Sequence, residues 1–216
     1  MDNFDFEQFT DTADNGDTAE LLNSNNSGEK TKTTFKNDLF DWLEILVSAI
    51  VLLVVLFTFV FKVVTINGPS MRDTLQHGQK LIISNIGYTP KYGDIVVISR
   101  NANNIVDTED SDKSIIKRVI ATGGQTVDID FEKGVVYVDG VALEEPYVRT
   151  PTNRSFDVTF PVIVPEGCVF VMGDNRNNST DSRSSFIGDE GMVDTRYILG
   201  KALFRIYPFD TVGGLY

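Results

Sequence analysis

The sequence predicts a mainly β chain of folded, barrel-like antiparallel sheets, tethered by one N-terminal transmembrane helix. Three observations predict it. Residues 45–61 form a run of 17 without a charge. Beyond residue 62 the chain turns to short runs rich in Val and Ile, bounded by Gly, Pro, Asp and Asn. In that second part no apolar stripe recurs at helical spacing.

The chain opens on a segment dominated by Asp, Asn, Thr, Ser and Gly, with few apolar residues beyond Phe4, Phe6, Phe9, Leu21 and Leu22. Such a stretch buries too little surface to offset its ordering entropy, so residues 1–38 read as a disordered acidic tail. A short partner-binding motif at residues 4–9 is the alternative. Residues 1–62 carry 11 acids and 4 bases, so −7 of the net −12 falls there. The remaining 154 residues, with 20 acids and 15 bases, show no basic stripe, which excludes nucleic acid as a partner.

Leu39, Phe40 and residues 63–66 extend the uncharged run, placing a transmembrane helix at 39–62 with Trp42 as an interfacial anchor. A cleaved signal peptide fits poorly: more than 40 residues precede the run, it exceeds a usual apolar signal region, and no Ala-x-Ala site follows. Lys30, Lys32 and Lys36 on one side balance Lys62, Arg72 and Lys80 on the other, so flanking charge does not orient the span.

Residues 63–216 then read as one β domain, with candidate strands at 80–84, 94–99, 114–121 and 168–172. Residues 126–131 alternate, with Val127, Ile129 and Phe131 on one face. Residues 135–138 followed by Asp139-Gly140 read as a hairpin with a type I′ turn. Residues 101–113, polar and carrying four acids, read as an exposed loop. Cys168 is the single cysteine, so there is neither an intrachain disulfide nor a Cys-x-x-Cys zinc site. It reads as a small core residue on a buried strand.

Three stretches concentrate reactive side chains. Residues 67–75, Asn-Gly-Pro-Ser-Met-Arg-Asp-Thr-Leu, follow closely on the apolar run. The nine extended steps from Phe61 to Ser70 reach at most roughly 30 Å, which keeps Ser70 near a membrane surface. By residue type alone Ser70 is either a nucleophile or a turn residue, and a serine nucleophile needs a base. His77, the single histidine, sits in a polar turn and reads as facing water. The other possible base is a lysine kept neutral by burial. Lys117 lies in an apolar strand, Ile115-Ile116-Lys117-Arg118-Val119-Ile120, where alternation sends Lys117 and Arg118 to opposite faces. Either one of the pair turns inward or both are solvated ends of an edge strand.

The third stretch, GDNRNNSTDSR at 173–183, reads as a network of side-chain to backbone turns. It is no calcium loop, because the third ligand position is Arg176 and the sixth is Ser179 in place of glycine. Ser114 and Lys117 match the Ser-x-x-Lys pattern of penicillin-binding enzymes, but a strand separates i from i+3 and the companion Ser-Asp-Asn and Lys-Thr-Gly motifs are missing. A membrane-tethered β module that binds a partner through its polar loop is the non-enzymatic alternative.

GPSMRDTL at 68–75, YGDIVVI at 92–98, KRVIATGGQTV at 117–127 and GDNRNNSTDSR at 173–183 follow the order and character of the boxes of the bacterial type I signal peptidase (leader peptidase) family. With the preceding span, the resemblance covers residues 39 to about 206, and the small size with a single span resembles Gram-positive members. The resemblance implies a membrane-anchored serine endopeptidase, without metal or cofactor. It would cleave signal peptides from exported preproteins after small residues, at Ala-x-Ala type sites, through a Ser/Lys dyad and an acyl-enzyme.

Carried onto this chain, Ser70 matches the nucleophile and Lys117 the general base. Ser179 matches the hydroxyl that orients that lysine, and Asp181 with Arg183 the structural ion pair. The Ser70 N–H would supply one oxyanion donor. Ile66, Met71, Leu75 and Ile116 are expected to line shallow pockets suited to alanine. Strand edges around 64–67 and 111–116 are expected to pair with an extended substrate. The implied partners are preprotein signal peptides and the phospholipid membrane, with the tail cytoplasmic and residues 63–216 extracytoplasmic. Three positions depart from the family pattern. Gly68 stands where some members have a serine as second oxyanion donor, and Asp73 where proline is usual. Residues 121–125, Ala-Thr-Gly-Gly-Gln, replace the commoner Gly-x-Pro-Gly-Asp.

Overall fold

The computed structural model describes residues 35–99 and 114–215. Most of the expected disordered tail, its motif at residues 4–9 and the polar stretch 101–113 lie outside the described residues.

Helix α1 (Phe35–Phe59) runs 25 residues, starting before the expected boundary and stopping before residue 62. It ends where the β-branched run Val63-Val64-Thr65 favours a strand over another helical turn. Within it, Asp38–Phe59 is long and apolar enough to cross a membrane. Its large apolar side chains are 40–76% exposed on every face, a pattern that suits lipid and not a protein core, consistent with a membrane anchor.

The rest is antiparallel β structure with short 3₁₀ turns. In chain order the strands are β1 (Lys62–Thr65), β2 (Lys80–Ser84), β3 (Ile95–Ile98), β4 (Ile115–Thr122), β5 (Thr126–Asp130) and β6 (Val135–Val138). They continue with β7 (Val141–Ala142), β8 (Val162–Ile163), β9 (Cys168–Met172), β10 (Val193–Asp194), β11 (Ile198–Tyr207) and β12 (Gly213–Gly214). The larger sheet has the order β1-β2-β11-β3-β4-β9-β10, with β12 on β11, and is curled into a half-barrel. The smaller sheet, β7-β6-β5-β8, is inserted in the chain between β4 and β9.

Expected strands 80–84 and 168–172 coincide with β2 and β9, and the other two lie within one residue of β3 and β4. Asp139 and Gly140 both have positive φ, as the type I′ turn requires. Val127 and Ile129 are buried while Asp128 faces out. The ten-residue β11, central in the larger sheet, was not among the expected strands. Gly200 and Lys201 interrupt its alternation, and register shifts between 198 and 200, 202 and 204, and 205 and 207 break the period-2 signal.

The curl buries both faces of the central strands. Ile95 and Val97 of β3 join a cluster with Ile66, Leu81, Ile83 and Ala202, while Val96 and Ile98 pack on the other side with Val119, Val171, Val193 and Ile198. A third cluster seats the smaller sheet, through Val127, Ile129, Val136 and Val138, on Ile120, Phe170 and Met172. Cys168 opens β9 and is only partly buried, with its thiol pushed up in pKa by that burial.

Candidate active site

Strand β4 carries Lys117 and Arg118 in its middle, and six of its eight residues are buried. Lys117 lies opposite Val96 and Arg118 opposite Ile95, and these two β3 residues belong to different apolar clusters. Alternation therefore holds, yet both basic residues are inside, at 3% and 1% exposure. Neither is a solvated end of an edge strand.

The Lys117 Nζ lies 3.0 Å from the Ser70 Oγ and donates to the Ile116 carbonyl at 3.2 Å. Ser70 sits in a tight turn closed by Arg72 N–H to Pro69 O (2.9 Å) and Leu75 N–H to Met71 O (2.8 Å). Met71 and Leu75 fix the turn by burying their side chains in the cluster that holds Ile66 and Ile116. All four of those apolar residues are in that one core, with Ile116 the most exposed at 8%.

Burial lowers the Lys117 pKa to about 8, because an ammonium loses its hydration there. The carboxylates of Asp181 and Asp174 pull the other way, and Arg183 adds to the lowering. His77 is exposed, its Nδ1 accepting from the Gly68 N–H at 3.5 Å, and among the described residues Lys117 rather than His77 meets the Ser70 hydroxyl.

The polar loop 173–183 begins as β9 ends and docks on the Ser70 turn. Asn175 N–H donates to Ser70 O at 3.0 Å, and Asn175 Nδ2 donates to Pro69 O at 3.1 Å. Gly173 is the point of closest approach: a Cβ there would fall 2.5 Å from Ser70 O and would overlap the Ser179 hydroxyl. Ser179 is buried, and its Oγ has no hydrogen-bond partner among the described residues. The expected bond from Ser179 to Lys117 is thus not formed here.

Three arginines brace this loop from inside. Arg183 holds Asp181 through Nε (2.8 Å) and Nη2 (2.9 Å), both side chains fully buried, and Asp181 Oδ2 also accepts from Gly173 N–H at 3.0 Å. Arg118 makes a two-pronged pair with Asp174, at 2.8 and 2.7 Å, and donates to Gly93 O at 2.7 Å. The same Asp174 accepts from the Thr74 hydroxyl, tying the Ser70 turn to β4. Arg176, with no exposure, pairs with Glu145 and donates to Thr152 Oγ1 at 2.9 Å. The Arg118–Asp174 and Arg176–Glu145 pairs have no counterpart among the sequence expectations, in which Asp174 is a turn former, Arg118 an inward or solvated strand residue, and Arg176 and Glu145 have no assigned partner. The available signal was three arginines and two aspartates packed into stretches bounded by apolar strands.

Asp73, in the position where proline is usual, has φ of 87°. Proline, held near −65°, cannot adopt that angle, so this turn is built differently at that residue. Asp73 also faces Arg149 Nε at 3.4 Å on the surface. Strand β4 outruns its neighbour: the β4–β9 register begins at Arg118 opposite Met172, so, among the described residues, 115–117 pair only with β3. Among the described residues β1 is an edge too, paired only with β2.

A serine hydroxyl against a buried, partly deprotonated lysine is an arrangement able to perform nucleophilic acyl transfer. The chain matches the family described as signal peptidase, peptidase S26, over residues 39–207. It is 39% identical to a probable signal peptidase I-1 of Synechocystis over 80% of this chain and 85% of that protein. It is 31% identical to a signal peptidase I of Bacillus licheniformis over 85% of this chain and 97% of that protein. A solved signal peptidase I of Enterococcus faecalis matches at 28% identity over 53% of this chain and 97% of that chain, with a TM-score of 0.39. Its relatives thus include both Gram-positive and cyanobacterial proteins, and the chain belongs to the signal peptidase family, peptidase S26.

Proposed function

We propose that this signal peptidase cleaves preproteins with Ser70 as nucleophile and Lys117 as general base. Family membership makes the chain a serine peptidase that removes signal peptides from preproteins. The observation that carries the residue assignment is the 3.0 Å contact between Ser70 Oγ and the Nζ of a lysine almost wholly out of water.

In the proposed cycle, neutral Lys117 takes the Ser70 proton as Oγ attacks the scissile carbonyl. The tetrahedral oxyanion is stabilised by the Ser70 N–H and a second donor that Gly68, lacking a side chain, does not supply. Collapse breaks the peptide bond, and protonated Lys117 returns its proton to the leaving amine. A water deprotonated by Lys117 then attacks the acyl-enzyme, releasing the cleaved signal peptide and restoring Ser70. Ser179, the buried hydroxyl without a partner beside Gly173, orients Lys117 in the reacting complex, and the Asp181–Arg183 pair holds the loop in shape.

An extended substrate pairs with the free side of residues 115–117 and with the β1 edge at 64–65; residues 111–113 lie outside the described residues. In this reading Ile66, Met71, Leu75 and Ile116, which share one buried cluster with the Ser70 turn, form the floor of shallow pockets suited to alanine-sized side chains. Helix α1 spans the membrane with the acidic tail cytoplasmic and residues 63–216, the catalytic domain, outside.

Ser70→Ala and Lys117→Ala are each expected to lower preprotein cleavage by at least about 10⁴-fold with the β domain still folded by circular dichroism. Normal cleavage by either variant sinks the dyad. The base works only when neutral, and at pH 7 roughly one Lys117 in ten is so with its pKa near 8. The kcat/KM profile should therefore rise about tenfold per pH unit below 8 and level off above it. A profile flat between pH 6 and 9 contradicts the assignment. Gly173→Ala pushes on Ser179 and Ser70 O together, and should cut kcat by about 10²-fold while also lowering the thermal midpoint, because a backbone oxygen has to move to admit the Cβ. Unchanged kcat would show that the close approach is not needed. In right-side-out vesicles, external protease should remove the β domain and spare the acidic tail; digestion of the tail reverses the orientation.

A further inference from the structure

The segment after β7 carries Glu145 and Tyr147, two residues outside every stretch that supplies the site above. Tyr147 lies flat against Arg118, with the guanidinium carbon 3.9 Å from the ring centroid. Its hydroxyl donates to Glu145 Oε1 at 2.9 Å. Glu145 in turn takes both terminal nitrogens of Arg176, one at 2.6 Å. Arg176 Nε donates to the Gly173 carbonyl at 3.2 Å. The contacts form one continuous path from Arg118, next to the proposed base, to Gly173, where the polar loop touches Ser70.

We propose that Tyr147 and Glu145 are positioning residues for the reaction: Tyr147 seats Arg118 on Asp174, and Glu145 seats Arg176 on the carbonyl of Gly173. This rests on the reading of Ser70 and Lys117 given above. Each link has a chemical reason. A guanidinium stacked on an aromatic face keeps its in-plane N–H groups free for a two-pronged carboxylate pair, which Arg118 makes with Asp174. A fully buried guanidinium needs a carboxylate, and among the described residues Glu145 supplies it for Arg176. Both residues belong to the insertion that carries the smaller sheet, so that insertion braces strand β4 and the polar loop at once.

The consequence reaches Lys117 through charge as well as position. The charged groups acting on it are Asp181, Arg183 and Asp174, and Arg118 is its neighbour on β4. Without the Tyr147 ring the guanidinium plane of Arg118 is no longer fixed and its two-pronged pair with Asp174 loosens, while its bond to the Gly93 carbonyl remains. That carboxylate then acts on Lys117 with less compensation and raises its proton affinity.

The test uses the full-length protein in detergent and a reporter preprotein, with Tyr147→Leu, Tyr147→Phe, Glu145→Gln and Ser70→Ala measured for thermal midpoint, kcat, KM and pH profile. Tyr147→Leu is expected to lower kcat about tenfold or more, since displacements of order 1 Å cost up to ~10²-fold, with KM within about twofold. The midpoint of its acid limb should move to higher pH. Tyr147→Phe keeps the stacked ring, and should keep the wild-type limb with a smaller loss of kcat.

The proposal is overturned if folded Tyr147→Leu retains wild-type kcat and limb. It is equally overturned if activity falls only in proportion to the unfolded fraction with the limb unmoved. Should Tyr147→Leu not fold, Glu145→Gln decides: a several-fold loss of kcat in folded protein supports the proposal and wild-type kcat overturns it. An active Ser70→Ala would instead overturn the underlying dyad, whereas inactive Ser70→Ala beside an unaffected Tyr147→Leu removes only the positioning roles.

Discussion

Holding a lysine almost wholly out of water beside a serine hydroxyl is the constraint from which most of this domain follows. An ammonium in such a place loses several kcal/mol of hydration, of order what an ion loses on entering a protein interior. Lys117 meets that cost by giving up its proton more readily, with a pKa near 8. The environment must therefore be dry enough to ease the loss of the lysine's proton and polar enough to hold a hydroxyl against it. The two demands conflict unless every other buried charge nearby is matched. Arg118, Arg176 and Arg183 each meet a carboxylate, from Asp174, Glu145 and Asp181, while Lys117 meets a hydroxyl and a carbonyl.

Within the polar loop 173–183, Asp174, Arg176, Asp181 and Arg183 thus form an electrostatic lining in which none of the four can be exchanged in isolation, while Asn177, Asn178 and Thr180 are exposed. Removing one partner of such a pair leaves an uncompensated buried charge, costing about 3–5 kcal/mol. Low local dielectric strengthens each of these bonds, which makes the loop stiff. Stiffness matters at Gly173, where the loop lies so close to Ser70 O and the Ser179 hydroxyl that no side chain fits. The pairs also explain how a loop made almost entirely of turn formers can be buried at all.

The sheet contributes by ending at unequal places. Strand β4 is flanked by β9 from Arg118 onward and, among the described residues, has no second neighbour at 115–117, so Lys117 sits at the boundary between the two regions. A lysine at that boundary is buried by the Ser70 turn and the polar loop while its strand neighbours 115 and 116 keep one side without a β9 partner. The curl of the larger sheet permits this, because it lets apolar clusters cover both faces of β3 and β4 without a second full sheet.

By itself the sequence determined whatever depends on local pattern. The uncharged run announced the apolar helix, the alternation of 126–131 and the Asp139-Gly140 turn announced β5 and its hairpin, and the apolar surroundings of Lys117 marked it among the lysines. Residue type alone left Ser70 and Lys117 open, and the resemblance of the stretches that hold them to a known family singled them out as the proposed nucleophile and base. Tertiary structure alone decided the rest. The central β11 was hidden by Gly200 and by shifts in register, since a bulge destroys the period on which strand recognition rests. That both Lys117 and Arg118 are buried depends on what covers each face of β4, and the covering elements come from residues 70 and 174. The pairing of Arg118 with Asp174 and of Arg176 with Glu145 joins residues 56 and 31 positions apart. Charge pairing across such distances leaves no local trace, because its energy depends on burial and geometry that only the folded chain creates.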